Sequence, residues 1–551
     1  MGGVEAGAPS GAAMAPHVQY SRRARAGASG CPNRQTPFRR AAFSQDGIVS
    51  EFVPPEVPRA STGIEGLDRI LGGGFPTHEI YLIEGEPGTG KSLIGLHFLR
   101  AGADLGEKCL LITLSQSKEV IRRLAASHGW TMDGIDVYEI SADNLVPGLG
   151  TEQVLFRTAD VELGEMMAAV RAVIEEVRPT RVVFDAVSEL RLLSNDPGRY
   201  QRQLFILKDL FANRGATVLF LDNQPVMPGH SELQHLAFGV ILLSHTPTSY
   251  GNERRQLRVL KVRGIRYDDG VHDFRIRTGG VKVFPRLRTG ERLHNAWAAH
   301  ESGIQEIDEM LGGGLAEGSS TLFLGPSGTG KSSLASHYAF AAAERGERSI
   351  IFLFDERPET FVHRTEGIGM SIRPHLESGM ITLREIDTGE VSPGEFADLV
   401  RAQVQERQVR MVVIDSLTGY MSAMPDERML ITQMHELLTY LSSQTVLSIL
   451  IVAQHGVLGP TLGGPVDVSY LADTVLLLRH FEADGAIRRA ISVFKKRYGG
   501  HGHGIREFQI TPQGIEVGEP LTGFRGVLSG SPSFEGPDAS LMELADAPPV
   551  S

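Results

Sequence analysis

Gly85-Glu86-Pro87-Gly88-Thr89-Gly90-Lys91-Ser92 is the stretch on which the fold turns. Its pattern, Gly-x-x-x-x-Gly-Lys-Ser, needs glycines so that successive backbone N–H groups can turn inward around a phosphate, with the dipole of the following helix adding positive potential. Lys91 is then placed to reach the β- and γ-phosphates, and the Ser92 hydroxyl to ligate Mg²⁺. The pattern recurs 240 residues later as Gly325-Pro326-Ser327-Gly328-Thr329-Gly330-Lys331-Ser332. A single match arises by chance at roughly 10⁻⁴ per position from average residue usage. Two matches, each between an apolar strand and a helix, are not chance.

Working outward, the flanks repeat with the same offset. Ser61-Thr-Gly-Ile-Glu-Gly-Leu-Asp68 returns as Glu301-Ser-Gly-Ile-Gln-Glu-Ile-Asp308, and Leu71-Gly-Gly-Gly74 returns as Leu311-Gly-Gly-Gly314. A period this long is a duplicated domain and not a solenoid. Apolar β-rich runs follow each loop: 109–114, 181–184 and 218–221 in the first half, 349–354, 411–414 and 447–452 in the second. Continuous apolar strands alternating with amphipathic helices predict an α/β fold, two tandem P-loop NTPase domains, each a mainly parallel twisted sheet with helices on both faces. Asp185 ends Arg-Val-Val-Phe-Asp and Asp415 ends Met-Val-Val-Ile-Asp. Both carboxylates thus emerge at the carboxyl end of a buried strand, where such sheets place ligands and where an Asp holds Mg²⁺ directly or through water.

Composition frames this reading. The chain has 551 residues, 41% hydrophobic and 22% charged, enough to bury substantial cores. Its formal net charge of −12 disfavours constitutive binding to nucleic acid or anionic membranes. Two cysteines, Cys31 and Cys109, are too few for a disulfide framework, which points to a reducing, cytoplasmic setting. No apolar run approaches the ~18 residues of a membrane span. The expected organisation is an Arg/Ala/Gly-rich disordered arm over 1–55, ATPase domains over 56–288 and 289–525, and a Ser/Pro/Asp-rich disordered tail over 526–551.

With these residues in place, the chain over roughly 58–520 resembles the KaiC family of RecA-like ATPases, double-domain ring proteins known from the bacterial circadian clock. The resemblance rests on the duplicated loops, the lead-in Ser61 to Asp68, and two late motifs, Leu260-Lys-Val-Arg-Gly264 and Phe494-Lys-Lys-Arg-Tyr498, the second followed by Gly504-Ile-Arg-Glu-Phe508. It implies a homohexamer with each ATP between protomers. Lys261, Arg263, Lys495 and Arg497 would then reach a neighbour's γ-phosphate, where a cation stabilises phosphoryl transfer.

The family carries paired glutamates after the second strand, one of which activates the attacking water. In the first half Ser115 and Gln116 stand there, and in the second Asp355 and Glu356. Gln can orient water without taking its proton, so slow turnover in the first half is compatible with this sequence. Hydrolysis or phosphotransfer is therefore expected mainly in the C-terminal half, and a chiefly structural role in the N-terminal half. The resemblance also points to autophosphorylation in the segment Val466 to Thr474, where Ser469 matches the family's serine and Tyr470 replaces its threonine. Two functional classes stay open: an ATPase with serine/threonine autokinase activity, and a nucleotide-switched signalling scaffold with clock or other signalling partners. A DNA recombinase or helicase motor shares the fold, but the acidic balance and the lack of a separate basic loop disfavour it.

Overall fold

The computed structural model describes residues 57–140, 159–192, 197–223, 232–247, 252–288, 298–422, 427–454, 469–528, 533–534 and 542. The expected arm over 1–55 lies outside them. In the first half, strands β1 (Ile80–Gly85), β2 (Cys109–Thr113), β3 (Ile135–Glu139), β4 (Arg181–Asp185), β5 (Thr217–Asn223), β6 (Gly239–Thr246), β7 (Arg254–Val262), β8 (Val271–Arg277) and β9 (Gly280–Phe284) form one sheet in the order β9-β8-β7-β6-β1-β5-β4-β2-β3. From β6 to β3 the pairing is parallel, and β7 to β9 extend the sheet as antiparallel strands.

The second half repeats this arrangement with β10 (Ser320–Gly325), β11 (Ser349–Leu353), β12 (Ile381–Glu385), β13 (Met411–Asp415), β14 (Leu447–Ala453), β15 (Thr474–Ala483), β16 (Ala486–Lys496), β17 (Arg506–Thr511) and β18 (Gly514–Pro520). Their order is β18-β17-β16-β15-β10-β14-β13-β11-β12, the same path through space. These are two mixed, mostly parallel α/β sheets, as the alternation of strands and helices predicts.

Burial explains the strand choice. All six residues of β1 and all five of β4 are buried, which suits continuous apolar runs covered on both faces. One apolar cluster (Ile83, Leu93, Phe98, Val183, Leu219) covers one face of the first sheet, and a second (Leu82, Phe184, Leu207, Phe220) covers the other. The second sheet has the same two-sided core. In the expected C-terminal tail, Val527 is buried and Ser533–Phe534 pairs with Phe524–Arg525.

The halves meet along β8. The helix Pro393–Arg407 starts there, with Gly394 N–H donating to Asp273 at 2.9 Å and buried Glu395 accepting from Arg275 at 3.0 Å and Arg277 at 2.7 Å. No helix among the described residues is long and apolar enough to cross a membrane.

Candidate functional site

Each glycine-rich loop leaves the carboxyl end of a central strand and runs into a helix, α1 (Lys91–Asp104) after β1 and α2 (Lys331–Glu344) after β10. Gly90 and Gly330, which precede these helices, have φ of 101° and 93°, a region closed to most side chains. A Cβ on Gly330 would also lie 2.8 Å from Ile510 Cδ1. The loops are cinched by their threonines, Thr89 donating to Glu86 O at 2.8 Å and Thr329 to Pro326 O at 2.9 Å.

The two lysines fold over their own loops. Lys91 Nζ donates to Gly85 O (2.7 Å), Glu86 O (3.0 Å) and Asn223 Oδ1 (3.2 Å), and Lys331 Nζ to Gly325 O (2.8 Å) and Pro326 O (2.6 Å). Burial lowers the pKa of both, that of Lys331 to about 8, with Asp415 pulling the other way. Each ammonium is thus held at the mouth of a backbone cradle, that of Lys331 buried and that of Lys91 half-buried, a favourable place for an anion.

The strand-end carboxylates stand beside the loop serines. Ser92 Oγ donates to Asp185 Oδ2 at 2.7 Å, and Ser332 hydrogen-bonds Asp415. Burial raises the pKa of both acids; Ser332 and Arg364 oppose it at Asp415, while Glu356 and Asp355 reinforce it. A hydroxyl and a carboxylate converging next to a phosphate cradle are hard oxygen donors, and the set fits Mg²⁺.

In the second half these groups line an open cavity of about 570 Å³ together with Asp355, Glu356, Arg364 and Arg489, within the usual size of small-molecule sites. Ser416 Oγ donates to Asp355 Oδ2 at 2.5 Å. Arg364 grips Glu356 through two bonds, Nε to Oε1 at 3.2 Å and a terminal nitrogen to Oε2 at 2.9 Å. Arg489 Nε donates to Gly328 O at 3.2 Å, and His480 Nε2 lies 3.3 Å from Ser327 O, so both brace the loop. Ser416, Arg364, Arg489 and His480 were not legible as site residues. The available signal was positional: Arg364 replaces Leu124 at the repeat offset, as Glu356 replaces Gln116.

The late cations sit elsewhere. Lys495 opposes Val475 on β15, and Thr474 opposes Thr321 near the start of β10. Lys495 Nζ donates to Ala472 O at 2.8 Å, while Arg497 bonds Asp473 Oδ1 and Tyr470 O, each at 3.3 Å. In the first half Lys261 opposes Val240 and donates to Gln234 O, and Arg263 reaches His235 O at 3.5 Å. Through Val240 and Val475, Lys261 and Lys495 lie level with Leu82 and Leu322, three residues or about 10 Å along the strand before the loops begin at Gly85 and Gly325. Ser469 opens a short 3₁₀ turn, Ser469–Leu471, and residues 455–468 before it lie outside the described residues.

Residues 60–288 and 300–522 each match the family model described as "ATPase: KaiC". The circadian clock oscillator protein KaiC of Thermostichus vulcanus is 26% identical over 490 residues, 87% of this chain and 92% of that protein. Its counterpart in Synechococcus elongatus is 24% identical over 487 residues, covering 87% and 92% of the two chains. The circadian clock protein KaiC3 of Synechocystis sp. is 24% identical over 492 residues, covering 87% and 95%.

Proposed function

The chain belongs to the family of KaiC ATPases, and from that premise we propose that it is a ring-forming, Mg²⁺-dependent ATPase of the cytoplasm whose chemistry is concentrated in the C-terminal half. One observation carries this division of labour: Asp355 and Glu356 line the same cavity as Lys331, Ser332 and Asp415, whereas the first half has Ser115 and Gln116 at the matching positions.

The loop N–H groups and Lys331 bind the β- and γ-phosphates of ATP. Ser332 and Asp415 would hold Mg²⁺, which would supply positive charge against the negative charge that develops on the transferring phosphoryl group. Glu356, oriented beside Asp355, accepts the proton of a water whose oxygen forms the new bond to the γ-phosphorus. The bond to the bridging oxygen breaks, and ADP leaves with its electron pair. The first half binds ATP through Lys91, Ser92 and Asp185 and serves mainly assembly.

The distance of Lys261, Arg263, Lys495 and Arg497 from their own loops supports a role across a subunit boundary, in a closed homohexamer. Ser469 is the proposed acceptor when a protein hydroxyl replaces water, and nucleotide-dependent surfaces would signal to protein partners. The test is incubation of the full chain with Mg²⁺ and γ-labelled ATP, followed by light scattering, phosphate release and mapping of phosphosites. Lys331→Ala should remove most turnover and Lys91→Ala should chiefly weaken assembly. Hydrolysis abolished by Lys91→Ala within intact hexamers would overturn the division.

A further inference from the structure

We infer that Arg364 is the positioning residue of the C-terminal hydrolytic site, a guanidinium that clamps Glu356 so that its carboxylate faces the Lys331 cavity. The inference rests on the reading of Glu356 as the proton acceptor. The geometry begins with the helix Pro358–Gly367, which carries Arg364 two turns beyond Glu356 and turns it back toward the cavity. Two N–H···O bonds at 3.2 and 2.9 Å fix both carboxylate oxygens at once, a fork geometry that a lysine cannot reproduce.

The clamp is itself held. The guanidinium carbon lies 4.9 Å from the centre of the Phe361 ring, and a terminal nitrogen reaches Ser333 Oγ at 3.4 Å. Ser333 follows Ser332 of the phosphate loop, so Arg364 ties the glutamate to the element that binds phosphate. Both side chains of the pair are about three-quarters buried, with 28% of Arg364 and 22% of Glu356 exposed, which limits screening by water.

The clamp leaves Glu356 able to act. A carboxylate offers about four lone-pair positions, two of which the guanidinium occupies, so each oxygen can still accept a hydrogen bond from water. Glu356 follows the end of β11 in a turn, where three side-chain torsions would otherwise be free. The cavity also gathers three carboxylates, Asp355, Glu356 and Asp415, whose mutual repulsion a cation offsets. The duplicated half supplies an internal comparison: with Gln116 in place of Glu356, Leu124 stands in place of Arg364. Carboxylate and clamp are present together or absent together.

The test uses the full chain, with turnover measured above that of Lys331→Ala. Arg364→Leu copies the first half and should lower kcat by roughly 10- to 100-fold, the cost of misplacing a catalytic group by about an ångström. KM and the affinity for a fluorescent ATP analogue should change less than threefold, as should those of Arg364→Lys, which keeps the charge without the fork and should recover part of kcat. In a Glu356→Gln background, Arg364→Leu should cause no further loss, because the clamp has nothing left to position. Unchanged kcat in Arg364→Leu, a loss carried by KM, or a full additive loss in the Glu356→Gln background would each overturn the clamp while leaving Glu356 as the proton acceptor. Unchanged turnover in Glu356→Gln alone would instead remove that reading, and the clamp with it.

Discussion

Lys331 should make ATP binding to the C-terminal site weaken as pH rises through about 8, well below the range where an ordinary lysine titrates. The cause is burial: Lys331 is 6% exposed, and its ammonium is held by the carbonyls of Gly325 and Pro326 in place of water. With half-titration at about 8, roughly nine-tenths of the lysines are charged at pH 7 and only about one-tenth at pH 9. If only the ammonium binds phosphate productively, affinity should fall about ninefold, on the order of 1.3 kcal/mol, over that interval. The terminal phosphate is already deprotonated there, since its second ionisation lies near pH 6, so the nucleotide contributes little to the slope. The assay is a titration with a fluorescent ATP analogue at constant Mg²⁺ in a Lys91→Ala chain, which leaves the second site as the main binder. Lys331→Arg, always charged, should bind with little pH dependence whatever its absolute affinity. Affinity constant within twofold from pH 7 to pH 9 in the parent would refute the argument.

Other consequences are as direct. Gly330→Ala should weaken nucleotide binding at the second site by about tenfold, because φ of 93° costs an L-residue roughly 1–2 kcal/mol and the new methyl meets Ile510, and the same titration reads it. Arg263→Ala should lower the hexamer fraction at limiting ATP, seen by light scattering, and an unchanged ring would count against the contact across subunits. Glu395→Ala removes the shared acceptor of Arg275 and Arg277 and should cost on the order of 1–3 kcal/mol in urea unfolding, the lower end applying because Arg277 is half exposed and readily rehydrated.

The duplicated loops, their flanking strands and the strand-end acids were legible because each is local. A buried parallel strand is a continuous apolar run, and the phosphate cradle is eight consecutive residues. The expected runs 109–114 and 411–414 correspond to β2 and β13 within one residue. The antiparallel extension β7 to β9 was not foreseen, since its strands mix charged and apolar residues, as in Arg254–Val262. The long-range contacts around the candidate site were hidden for a different reason. Ser416 meets Asp355 from 61 positions away, and Arg489 meets Gly328 from 161 away, through sheet pairings that periodicity does not encode. Arg364 was the exception, betrayed in principle by its contrast with Leu124.

Phosphate release by the Asp355→Ser, Glu356→Gln variant tests the central claim most directly. The exchange copies Ser115 and Gln116 at nearly constant volume, and neither acid is fully buried, so folding and ATP binding should persist. A positioned general base contributes about 10²- to 10⁴-fold, and steady-state release from the purified full chain should fall on that order. Release unchanged from the parent would contradict the assignment of the chemistry to the C-terminal half.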